Sequence, residues 1–170
     1  KILRAAIMGL LGRADDAMDD LPFLGQSKAF NEWVNDYVRG LLLLLLNRFS
    51  DAQTALLKQF DNQMLGPESS GTIRLGSAVC FLRNRRDVAR AADLLDLVPQ
   101  QGDVFADYIV AALQYHVAIT LGRPEQAAVL REKLVFNLDP HISAIISAVD
   151  QRDWKKAWNL EVRALLRLVA

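Results

Sequence analysis

The sequence predicts an all-α fold, a solenoid of about five antiparallel helix hairpins, and three observations carry that expectation. Apolar residues recur at helical spacing along almost the whole chain, and no alternating run bounded by Asn-Gly or Asp-Gly announces a strand. Turn signals are brief: "LPFLGQS" at 21–27, "LGPESSG" at 65–71, "VPQQGD" at 98–103 and "NLDPH" at 137–141. Each stretch between them is broken once in its middle, and the breaks resemble one another: "LGRADDA", "LNRFSDA", "RNRRDVA", "LGRPEQA" and "DQRDWKKA". In the first four, Gly or Asn precedes Arg, and three residues then separate Arg from Ala. The fifth carries one extra residue or a shifted register. The alanines, at 17, 52, 89, 127 and 157, recur about every 30 to 40 residues, the range of a helical-hairpin repeat.

The chemistry of the breaks gives the elements in order. Gly or Asn takes the left-handed conformation that ends a helix, and Asp or Pro suits the first turn of the next. Alanine one turn later lets the two helices approach closely. The first pair is expected at 2–11 and 14–21, the second at 28–47 and 50–64, and the third at 72–83 and 86–98. The fourth follows at 103–121 and 124–136, and the fifth at 141–149 and 153–168.

On "LGRPEQA" and "LNRFSDA" the chain resembles the tetratricopeptide-repeat family, in which a small residue follows the turn between the two helices. The "NLDP" ending at Pro140 is similar to the proline that closes such a repeat. The match is partial, since the family's first-helix pattern survives only as Gly40 in "YVRGLL" and "AALQYH" has no glycine. The resemblance implies a right-handed α-α superhelix whose first helices line a concave surface. It implies a protein–protein interaction scaffold or adaptor that takes a peptide or helix of a partner in a partly apolar groove.

At 170 residues the chain is expected to form one domain, 1–170, probing no further than a core that buries roughly 70% of the unfolded surface. Twenty basic and twenty acidic residues cancel, which argues against a general nucleic-acid binder. The hydrophobic fraction of 52% leaves apolar surface for an interface. The chain begins at Lys1 and is expected to be a piece of a longer one. That suggests an alternative role as a regulatory or oligomerisation module of an enzyme or transcription regulator; an RNA-binding helical repeat is weaker still. "KILRAAIMGLLGR" is faintly like a signal peptide, but without a convincing cleavage site it is read as a helix. The single Cys80 is expected to be a buried small hydrophobe and leans to the cytoplasm. The "LLLLLL" run at 41–46 is too short to cross a membrane, and Asp107, Gln114 and His116 interrupt the longer apolar stretch 104–121.

No motif predicts catalysis, a cofactor or a metal: there is no phosphate loop, no nucleophile elbow and no cysteine–histidine spacing for zinc. The candidate groove residues are Trp33, Tyr37 and Leu41 on one apolar stripe and Tyr108, Tyr115 and His116 on another, with His116 read as a structural side chain first. Charged candidates are Arg83, Arg85, Arg86 and Arg90 at one corner and Asp15 and Asp16 in "ADDAMDD". The apolar end 154–169 has no polar capping helix, so further repeats or a second copy of the chain are expected to cover it.

Overall fold

The computed structural model describes residues 2–21, 32–58, 67–84, 87–99, 103–136 and 139–170. Among these the chain is all-α, with no strand. The helices are α1 (Ile2–Leu10), α2 (Ala14–Asp20), α3 (Glu32–Leu45), α4 (Phe49–Leu57), α5 (Pro67–Arg83), α6 (Val88–Asp96), α7 (Val104–Thr120), α8 (Pro124–Val135), α9 (Pro140–Asp150) and α10 (Trp154–Arg167). Each odd-numbered helix packs most extensively on the even-numbered helix that follows it.

Four of the five corners between paired helices share one hydrogen-bond pattern. In the first, Gly12 N–H donates to the Gly9 carbonyl and Arg13 N–H to that of Met8, closing α1. The same two bonds recur at Asn47 and Arg48, at Gly122 and Arg123, and at Arg152 and Asp153. The turning residue is left-handed each time, with φ of 80° at Gly12, 61° at Asn47, 67° at Gly122 and 56° at Arg152. The fifth corner therefore has no extra residue: Arg152 stands where the others carry Gly or Asn. A left-handed side-chain residue costs roughly 1–2 kcal/mol, and Asn offsets part of that by local hydrogen bonding while Arg does not.

The alanines sit where the second helix meets the first. Ala17, Ala52 and Ala127 donate N–H bonds of 3.0 Å to the carbonyls of Arg13, Arg48 and Arg123, and Ala157 one of 2.9 Å to that of Asp153. In the third hairpin the residue in this role is Ala91, bonded to the Asp87 carbonyl at 3.2 Å and fully buried. Ala89 is exposed. The corner after Asn84 is thus longer than its sequence pattern implies, and α6 starts at Val88 rather than 86.

Two other boundaries differ for a shared reason. Pro67 opens α5 five residues before the expected start, and Pro140 opens α9 rather than closing the preceding repeat. Proline lacks the N–H that a first-turn residue leaves unbonded, so it begins helices well. Asp139 caps α9 by accepting the His141 N–H at 2.8 Å, and Asp103 caps α7 by accepting from Phe105 at 2.8 Å. The expected residues 28–31 of the third helix and 59–64 of the fourth lie outside the described residues.

The odd helices form a row, α1 against α3, α3 against α5, α5 against α7 and α7 against α9. The last helix breaks the alternation. Besides its partner α9, α10 packs on α1, α3, α5 and α7. Close approach at this junction needs Gly9: a methyl group there would lie 2.5 Å from Leu42 Cδ2 on α3 and 3.1 Å from Leu166 Cδ1 on α10.

The corrected third corner is open to a direct comparison. Ala91→Leu should lower stability by about 1–3 kcal/mol through overpacking, while Ala89→Leu should change it by less than about 0.5 kcal/mol. Urea unfolding followed by circular dichroism measures both, and equal effects would contradict this register.

Candidate functional site

The first helices of the hairpins are apolar on more than one side. In α3, Val38, Leu41, Leu42, Leu43 and Leu44 are all buried, and a helix of that kind must be covered all round. α2, α4, α6 and α8 each pack on the odd helix of their own hairpin. Further cover comes from α10, whose Ala157, Val162, Ala164, Leu165 and Leu166 are fully buried. Each buried valine or leucine of this set contributes about 1.5–3 kcal/mol relative to exposure.

The same inward stripe of α10 carries a carboxylate. Glu161 is 0% exposed and its Oε1 lies 2.6 Å from Nδ1 of His116 on α7, itself 1% exposed. A proton lies between the two atoms at that distance. Glu161 Oε2 has no hydrogen-bond partner among the described residues. The imidazole stacks on the Trp154 indole, with centroids 5.2 Å apart and planes 5° from parallel. Taking both groups out of water is costly, so the pair is a fixed registry point for α10 rather than a net source of stability.

Beside this pair, between α5, α7 and α10, lies a cleft of about 400 Å³. Leu82 and Ile119 form apolar wall, Trp154 and Trp158 its indole sides, and Arg152 stands at the α9–α10 corner. Beyond Trp158 the Arg83 guanidinium sits over the Phe49 ring at 4.2 Å and over the Trp158 ring at 5.5 Å. Arg83 donates to the Leu44 carbonyl at 2.7 Å and to Asn47 Oδ1, which ties α5 to the C-terminal end of α3. Burial lowers its pKa from the usual guanidinium value.

The candidate groove residues divide. Tyr37, Leu41 and Tyr115 stand inside the core, covered by the protein's own helices, while His116, also buried, borders the cleft between α5, α7 and α10. The Tyr37 hydroxyl has no partner among the described residues, and burial pushes its pKa far above the phenol range. Tyr115 donates to Asp150 on α9 and accepts from Arg131 on α8, so it knits the fourth and fifth hairpins; burial, then the bond to Asp150, raises its pKa. Trp33 and Tyr108 are half-buried and pack against the edge of the core.

The charged candidates are not brought together as one site. Arg83 is fixed as described, and Arg90 is exposed over the Phe81 ring at 4.8 Å. Arg85 and Arg86 lie outside the described residues. Asp15 is exposed, and Asp16 pairs with Arg13 at 2.7 Å. No cluster of three or more metal-ligating side chains occurs among the described residues, and no helix there is long and apolar enough to cross a membrane.

The segment 154–169, expected as an uncovered apolar end, turns its apolar side into the protein instead. Its outward side is basic. Lys155, Lys156 and Arg163 border a trough of about 360 Å³ that includes Leu160, and none of the three is ion-paired among the described residues. Sequence reasoning placed Trp154 and Trp158 only within the apolar end 154–169, and it missed Glu161, Arg152 and this basic side. Glu161 left a signal, because it interrupts the spacing of Ala157 and Leu165 along one helical stripe.

Two measurements follow from these groups. Glu161→Ala and His116→Ala should each cost about 3 kcal/mol, and Glu161→Leu with His116→Phe should cost at least about 1 kcal/mol less than the sum of its single substitutions. Strict additivity in the double-mutant cycle would show that the two groups do not act as a pair. Burial pushes the Cys80 thiol from 9.0 up to about 11, with Arg83 opposing. Above the lower value the unfolded chain gives up its proton before the folded one does. Stability should therefore be full below pH 9 and fall as pH rises towards about 11. Cys80→Ala should flatten that fall in urea titrations at stepped pH. Compared with known proteins, the chain matches no family model, no curated protein and no solved structure.

Proposed function

We propose that the chain is a protein–protein interaction scaffold, a right-handed α-α superhelix of tetratricopeptide-like hairpins that binds a peptide or helix of a partner. The observation that carries this reading is the outward side of α10. It spans the row of odd helices and offers Lys155, Lys156 and Arg163 around Leu160, three cations against the single carboxylate of Asp153 at the same trough, and none of the three forms an ion pair among the described residues. A partner segment with acidic residues at helical spacing and an apolar residue for Leu160 complements that surface. Half-exposed Tyr108 and Trp33 are further contacts in this reading, and no catalytic role is assigned to any residue.

The test is affinity capture with the intact chain against its variant Lys155→Glu, Lys156→Glu, Arg163→Glu. The substituted residues are exposed, so the thermal midpoint should hold while captured proteins fall at least about tenfold. An unchanged set of captured proteins would sink the reading. Capture abolished by nuclease would point to an RNA-binding repeat instead.

One observation favours oligomerisation as a second reading. Leu3, Ile7 and Leu11, one turn apart along α1 and its end, are 49%, 43% and 71% exposed. Light scattering across a dilution series should then give a dimer that Ile7→Lys converts to monomer. A monomer at every concentration removes this reading and leaves the first.

A further inference from the structure

We propose that the cleft between α5, α7 and α10 is a binding site for a small aromatic carboxylate. At about 400 Å³ it lies within the roughly 300–1,000 Å³ typical of small-molecule sites. Its sides are the indoles of Trp154 and Trp158, with Leu82 and Ile119 completing an apolar surface suited to a flat ring.

Two side chains that line the cleft, Trp158 and Arg152, carry donors without acceptors. Trp158 Nε1 is buried and has no hydrogen-bond partner among the described residues. Arg152 is exposed at the cleft and forms no ion pair among them. The neighbouring Asp153 carboxylate is turned to the helix, accepting the Lys156 N–H at 3.1 Å; Glu161 is fully buried outside the cleft lining, its Oε1 engaged by His116 Nδ1 and its Oε2 without a partner among the described residues. The Thr120 hydroxyl donates to the His116 carbonyl at 2.9 Å. With Nδ1 taken, Nε2 is the nitrogen of His116 left for a ligand. A ligand whose polar end accepts hydrogen bonds and carries negative charge meets these demands, and a cation does not.

A second observation bears on Arg152 itself. It holds the left-handed position that Gly12, Asn47 and Gly122 hold at the other corners. No hydrogen bond or ion pair of its side chain among the described residues offsets the strain. The corner needs the left-handed turn but does not need an arginine to make it, and residues held in strained conformations cluster at binding sites. A ligand here would also touch α5, α7 and α10 at once and so strengthen the seat of α10.

The experiment uses the intact chain, with 1-naphthoate as probe and 1-naphthalenemethanol and acetate as controls, in isothermal titration and thermal melts. Naphthoate should bind saturably with submillimolar affinity and raise the melting temperature; the alcohol and acetate should each bind at least about tenfold more weakly. Arg152→Gly should melt no lower than the unsubstituted chain and lose at least about tenfold in naphthoate affinity. Absence of binding at millimolar naphthoate overturns the proposal, as does equal affinity for the alcohol. Equal affinity in Arg152→Gly, or a large fall in its melting temperature, overturns it too. Partner capture plays no part in these readouts, so the outcome is independent of the scaffold reading.

Discussion

The fold depends on the seat of α10 across the row of odd helices. Those helices are apolar on too many sides for their hairpin partners alone to cover. By turning Val162, Ala164, Leu165 and Leu166 onto α1, α3, α5 and α7, the last helix supplies the missing layer. It also fixes the register of that layer, since the buried Glu161 has a hydrogen-bonding neighbour only where His116 stands. Apolar area drives the docking and the polar pair selects one position for it, a division between strength and specificity common to buried polar contacts.

This arrangement changes the energetics of a hairpin array. In an open array each hairpin touches only its neighbours, and stability adds up pair by pair. Here α10 joins the fifth hairpin to the first, third and fourth through their odd helices, and to the second through α3. Long-range contacts of this kind make the hairpins share one fate on unfolding. They also explain why small residues are needed away from the corners, as at Gly9, where two other helices converge within reach of one methyl group.

Much of the fold was legible because its corners have strong local chemistry. Gly12, Asn47 and Gly122 announce left-handed turns, and the alanine five places on announces close packing in those three cases. The third corner misled because two alanines, Ala89 and Ala91, lie close together, and the spacing rule selected the exposed one. The fifth misled because Arg152 performs a turn that arginine rarely performs. The site was much less legible. An apolar stripe in a sequence says that something covers it, not what does so, and for Tyr37, Leu41 and His116 the cover comes from more distant parts of the same chain. The cleft is assembled from Leu82, Ile119, Arg152 and Trp158, residues from separate helices with no motif in common.

The contact between the first helix and the last sets an order of events during synthesis. The ribosome delivers α1, α3, α5 and α7 well before α10 exists, and their apolar row has no lid until the closing residues of "WNLEVRALLRL" have left the exit tunnel. Nascent chains must therefore carry an exposed greasy surface from the emergence of the odd helices until α10 follows, a window in which holding chaperones or neighbouring nascent chains compete for it.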